Sequence, residues 1–193
     1  VYRLTLKTAP ASEPITLGEA KDYLKIDIDN EDFYILSLII AARKFCENYQ
    51  NRAYITQVWE MSLDYWDNNI IEIPKGNLQT VDSIVYKDSD GVSTTLANTE
   101  YVYSIRGILG RLTPAYGKIF PTFTPYPLDA IVITFTCGYG ASTAVPETIK
   151  QAMYLLISHW YENRVPLADK MIVPDELNFA VTALLWQERI VNL

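Results

Sequence analysis

The chain has 193 residues, 49% of them hydrophobic and 20% charged, which is enough apolar material for a self-sufficient core without metal or disulfide staples. Its 23 acidic and 16 basic residues leave a net charge of −7, the wrong sign for a free-standing binder of nucleic acid or of an anionic membrane surface. Two distant cysteines, Cys46 and Cys137, fit buried free thiols in a reducing compartment, and the longest apolar run, FYILSLIIAA (33–42), is too short to span a membrane.

In chain order, residues 1–15 read as an extended arm: VYRLTLKT alternates weakly and TAPASEP carries two prolines. The opening VYRLTLKT has no signal-peptide core, so a soluble intracellular product is expected. Thr16 and Glu19 form a capping box that opens a short helix over about 17–25, with Leu17, Ala20 and Leu24 on one side. After the break at KIDIDNED a second helix is expected over about 31–51, with Asn30 as its cap and Glu31 and Asp32 in the first turn. Its apolar residues, Phe33, Leu36, Ile39, Ile40, Phe45 and Tyr49, cover more than one face, which predicts burial on several sides or against another subunit.

From about 54 to 140 the period changes to two. VWEMSLDYW (58–66) puts Trp59, Met61, Leu63 and Tyr65 on one face. Further short strands are expected near 70–73, 80–87, 92–96, 101–105 and 108–114, with DSDG (88–91) as a hairpin turn. A proline- and aromatic-rich loop (115–127) leads into AIVITFTCGYG (130–140), the best candidate for a buried strand. Helices then resume: one from Pro146 to about 164 with Ile149, Met153, Leu156, Ile157 and Trp160 at helical spacing, and one over about 175–190 with Leu177, Val181, Leu184 and Leu185 inward. The expected fold is α+β, a single domain whose helical core (16–52 and 146–191) carries an inserted antiparallel β-subdomain (54–140).

Catalysis has little support. His159 is the one histidine and lies mid-helix; no serine sits in a G-x-S-x-G elbow, and GYGAS (138–142) lacks a P-loop lysine. DIDNED opens like a calcium loop but has Asp32 where a turn glycine belongs and Leu38 where a bidentate glutamate belongs. No catalytic residue, metal or cofactor is expected. The 14 tyrosines, 4 tryptophans and 6 phenylalanines are the more informative group, because Tyr101, Tyr103, Tyr116, Phe120, Phe123 and Tyr126 gather around the β-subdomain's loops. Such rings either cap a small sheet or serve a protein contact.

Several blocks, in order, resemble the head–tail connector (adaptor) family of tailed phages. They are EPITLGEAKDYLKID (13–27), AARKFCENYQNRAYITQVWEMSLD (41–64), IEIPKGNLQTVDSIVYKDSDG (71–91), FTCGYG with AVPETIKQAMYLLISHWYENR (135–164), and VPDELNFAVTALLW (173–186). The resemblance implies a non-enzymatic structural protein of a virion or prophage particle, located at the head–tail junction and in the bacterial host cytoplasm during assembly. It implies a ring of about twelve copies beneath the portal protein, receiving a tail-completion or stopper protein, with DNA passing through unread and no membrane involved. It also implies that the last helix engages the portal, at Val181, Leu184, Leu185, Trp186 and on to Leu193. Subunit contacts are expected from Phe33, Leu36 and Ile40 and from Tyr116, Phe120, Phe123 and Tyr126. An acidic lumen would repel DNA phosphates and let the genome slide. A sugar- or peptide-binding module using loop 115–127 is the alternative, and a carboxylate hydrolase a weaker third.

Overall fold

The computed structural model describes residues 2–66, 69–164 and 175–191. The fold is α+β, and the chain divides into two compact units, residues 1–10 with 56–138 and residues 11–55 with 139–193. Each unit is therefore assembled from two stretches of sequence that are far apart.

The first unit is antiparallel sheet. Its strands are β1 (Tyr2–Thr8), β2 (Gln57–Leu63), β3 (Ile71–Ile73), β4 (Leu78–Lys87), β5 (Ser93–Thr95), β6 (Tyr101–Ser104), β7 (Gly110–Pro114) and β8 (Ile131–Cys137). Five of them form one sheet in the order β1-β2-β8-β4-β5, and β3-β7-β6 form a second. β8 is central, and Ile131, Ile133, Phe135 and Cys137 on its alternate positions are fully buried. Ile133 stands opposite Met61 of β2 on one side and Ile84 of β4 on the other, all three inside the core. Period-2 burial on a central strand is the physical reason this segment was legible as the best-buried one.

The expected N-terminal arm is instead an edge strand: β1 pairs with β2 in the register Leu4↔Met61. The DSDG turn forms as read, with Asp88 Oδ1 accepting from the amides of Asp90 (3.0 Å) and Val92 (2.9 Å) and Gly91 in the left-handed region at φ +82°. Gly110 opens β7 where a Cβ would run into the Leu78 side chain, so only glycine permits that approach.

The second unit is helical: α1 (Leu17–Leu24), α2 (Asp32–Gln50), α3 (Glu147–Glu162) and α4 (Asp175–Trp186). The capping box is complete. Thr16 N donates to Glu19 Oε2 at 2.7 Å and Glu19 N donates to Thr16 Oγ1 at 3.2 Å, which draws the Glu19 carboxyl below its ordinary pKa through the Thr16 amide first. Lys25, left-handed at φ 60°, ends α1.

α3 packs against both α2 and α4. Ile35, Leu38, Ile39, Ala42 and Cys46 of α2 meet Ile149, Ala152, Met153, Leu156 and Ile157 of α3, and Val181 and Leu185 of α4 complete the core. α4 ends at Trp186, short of the expected 190; residues 187–188 turn, and Ile190 is buried. The helix cap expected at Asn30 is one residue later, at Glu31.

Candidate assembly surface

The helical unit contains a buried ionic cluster that fixes α2. Arg43, almost wholly buried, donates from Nε to Glu13 Oε2 at 2.6 Å and from Nη1 to Glu47 Oε2 at 2.8 Å. Glu47 Oε1 in turn accepts from the Tyr54 amide at 2.9 Å, and the Tyr54 hydroxyl donates to Gln50 Oε1 at 2.6 Å. Every charge there has an opposite partner, which a buried ion requires.

The carboxyl end of α2 then grips the chain after α4. Gln50 Nε2 donates to the Leu185 carbonyl at 2.6 Å, Asn51 Nδ2 donates to the Ile190 carbonyl at 2.9 Å, and the Ile190 amide donates to the Gln50 carbonyl at 2.9 Å. Arg52 Nε donates to the Glu188 carbonyl. These bonds satisfy carbonyls that the end of a helix leaves open. Arg189 is held between two rings, its guanidinium carbon 4.7 Å from the Tyr49 centroid and 5.3 Å from that of Trp186. Among the described residues it makes no ion pair, and its buried Nε has no hydrogen-bond partner.

At the opposite end of α2, Glu31 takes a two-pronged contact from Arg164, Nη1 to Oε1 at 2.6 Å and Nη2 to Oε2 at 2.8 Å, and a hydrogen bond from the Tyr161 hydroxyl. The Arg164 fork, ahead of the tyrosine, holds the Glu31 carboxyl down at a pKa of about 2. The same guanidinium lies over the rings of Tyr34 and Tyr161. Glu31, at the cap position of α2, makes no side-chain bond to its own helix; its carboxylate is held by Arg164, a partner 133 residues away.

The residues expected at contacts fall into two groups. Phe33 is 91% exposed, and Leu36 and Ile40 of the same face are also open to solvent. Tyr116 is fully exposed and Tyr126 exposed, with Lys87 Nζ 3.8 Å over its ring. Phe120, by contrast, is buried: its ring stacks on Trp66 at 4.2 Å and 5°, and Trp66 Nε1 donates to the Pro121 carbonyl at 3.1 Å. Phe123 is half-buried beside Tyr86. Phe120 is therefore committed within its own unit, correcting the expectation that it faces another subunit.

A cleft of about 620 Å³ lies beside the stack, lined by Tyr65, Ile119 and Pro125 among others. Trp66 and Phe120, stacked on each other, also line it.

On the last helix, Val181 and Leu185 are buried and Leu184 is half-buried, and they hold α4 on the core. Trp186 is 59% exposed, and Leu193 lies outside the described residues. Sequence reasoning missed Phe179, which is 75% exposed. The signal was present, because α4 is apolar on more than one side.

For chemistry, the described residues hold no group of three or more His, Cys, Asp or Glu side chains arranged around a metal. His159 lies within α3, its carbonyl accepting from Asn163 Nδ2 at 2.8 Å. Burial pushes the Cys46 thiol up to about 12, which disfavours the thiolate. No described helix is long and apolar enough to cross a membrane.

A family model, head completion protein, matches residues 13–172. The chain belongs to the head completion protein family. Its role is structural, that of a head–tail connector, and the resemblance seen in the ordered sequence blocks was to the right group of proteins. Three solved chains share the fold nearly end to end. One is in the neck of an empty gene transfer agent particle computed with C6 symmetry, at 24% identity, covering 99% of this chain and 97% of that one with a TM-score of 0.81. A second is in the virion of a native gene transfer agent particle, at 25% identity, 98% and 96% coverage and a TM-score of 0.80. A third is in the neck of a native particle computed with C12 symmetry, at 25% identity, 99% and 97% coverage and a TM-score of 0.78. No curated protein sequence matches the chain.

Proposed function

We propose that copies of this chain form a closed ring of about twelve at the head–tail junction, seated on a portal protein and receiving a tail-completion or stopper protein. The observation that carries this is the full-length fold match to chains in particle necks computed with six- and twelvefold symmetry. A neck computed with cyclic symmetry repeats one subunit contact around an axis, and a chain of the same fold throughout has the same elements with which to make it. The net charge of −7 per copy suits a channel wall that repels phosphate and lets DNA pass without being read. Assembly takes place in the bacterial host cytoplasm, and the work of the ring is mechanical rather than catalytic.

The direct test is negative-stain electron microscopy of the concentrated protein, alone and mixed with its portal protein. Open-centred rings wide enough for a DNA duplex are expected in at least one of the two preparations. Isolated particles of single-chain size in both would overturn the reading.

A further inference from the structure

We infer that neighbouring copies meet through two different helices, the outer face of α2 on one copy packing against the outer face of α4 on the next. The inference rests on the ring reading and names the surface that closes the ring.

α2 shows solvent a stripe of Phe33, Leu36 and Ile40, at spacings i, i+3 and i+7. α4 shows one of Phe179, Ala183 and Trp186, at i, i+4 and i+7. Each stripe covers two helical turns, roughly 10 Å of axis, so their ridges match in length and can interdigitate at an interaxial distance of about 8–10 Å. Both helices also bury a second apolar face in the core against α3, which itself exposes no large hydrophobic residue. A helix that is apolar on two sides is built to be covered on both. The open stripes lie on the two helices that flank α3, and a ring contact needs two unlike patches, whereas one self-complementary patch would close a dimer.

Charge sets the direction. Arg189, one turn past Trp186 and stacked on it, makes no ion pair among the described residues. Of the carboxylates about the start of α2, Asp29 and Asp32 pair with Lys21 and Glu31 with Arg164, which leaves the exposed Asp27 without an ion pair among the described residues, while Lys44 is exposed further along. Antiparallel packing brings the guanidinium toward Asp27; parallel packing brings it toward Lys44. Antiparallel is therefore the favoured direction. In that register Phe33 meets Trp186, Ile40 meets Phe179, and Leu36 drops into the space over the small Ala183. Trp186 then serves the neighbouring copy and not the portal.

The test is cross-linking of a chain carrying both Leu36→Cys and Ala183→Cys with a short bismaleimide, in a preparation shown by microscopy to contain rings, with portal protein added if rings need it. The natural thiols are buried and stay silent. The double variant should give a ladder of covalent oligomers up to the closed ring, and each single variant none beyond monomer. Adding Trp186→Ala should raise the protein concentration for half-maximal ladder on the order of tenfold. Dimers from Leu36→Cys alone would show like faces meeting and overturn the pairing. So would rings without a ladder, or a Trp186→Ala chain that cross-links normally but loses the portal. Those outcomes leave the connector reading standing. Absence of rings under both conditions overturns the reading and the pairing together.

Discussion

The helical unit and the sheet unit expose apolar residues in different ways. In the sheet unit they are scattered over turns and loops, as with Ile70, Ile105, Ile108, Tyr116 and Leu128, while the Trp66 and Phe120 rings stack on each other. In the helical unit Tyr23, Ile28 and Val191 stand apart in the same way, but Phe33, Leu36 and Ile40 of α2 and Phe179 and Trp186 of α4 line up at helical spacing. Scattered apolar side chains are ordinary on a protein surface. A regular stripe on a rigid helix offers a partner a defined register. The difference shows that apolar exposure points to a contact only where the backbone repeats it.

The two units also differ in how they hold their interiors, and substitution separates them. The largest loss is expected from Arg43→Ala, which leaves Glu13 and Glu47 without their shared cation. Urea unfolding should show the chain destabilised by about 4 kcal/mol, and an unchanged midpoint would mean the cluster is idle. Ile133→Ala, among apolar neighbours in the core of the sheet unit, should cost about 3 kcal/mol through lost contacts and a cavity. If the ionic variant proved the milder of the two, the contrast between the interiors would fail.

Acid provides a gentler probe. The Glu31 carboxyl is held near pKa 2 in the folded chain against 4.5 for an ordinary glutamate. Its folded value is the depressed one, so its contribution is fully present above about 4.5 and is lost as pH falls toward about 2. Comparing Glu31→Gln with the parent by thermal melts across that window, the variant should lose less stability on acidification, and parallel curves would refute the assignment. Smallest of all, Phe33→Ser should change the stability of the single chain by no more than about 0.5 kcal/mol, since the ring is exposed, while abolishing rings under the microscope. Loss of folding would make Phe33 a core residue after all.

Much of the fold was legible because its signals are local. The box at Thr16 and Glu19 spans four residues, the DSDG turn is self-contained, and β8 declares its burial by alternation. What was missed depends on distant partners. β1 reads as a loose arm because its hydrogen bonds go to β2, 50 or more residues on, and the hold of Arg164 on Glu31 joins residues 133 apart. The assembly surface was half legible. Phe33, Leu36 and Ile40 follow from a helix with too many apolar faces, and the same reasoning applied to α4 would have produced Phe179. The spacing on α4 rightly turned Val181 and Leu185 inward, whereas their portal role came only from the family resemblance.

The pairing of β1 with β2 also bears on the order in which the chain can fold during synthesis. Residues 2–8 leave the ribosome well before their partner strand, which ends at Leu63, and before β8, on which that sheet is centred and which ends at Cys137. At about 5–20 residues per second, β1 waits roughly 3–12 s for β2 and longer for a sheet to join. A free strand of that length is an aggregation hazard, and Arg3 and Lys7 give it the like charges that discourage pairing with another nascent copy. The helical unit waits too, since α2 needs α3. Neither unit can close until β8 and α3 have been made, so self-association is deferred until both have emerged.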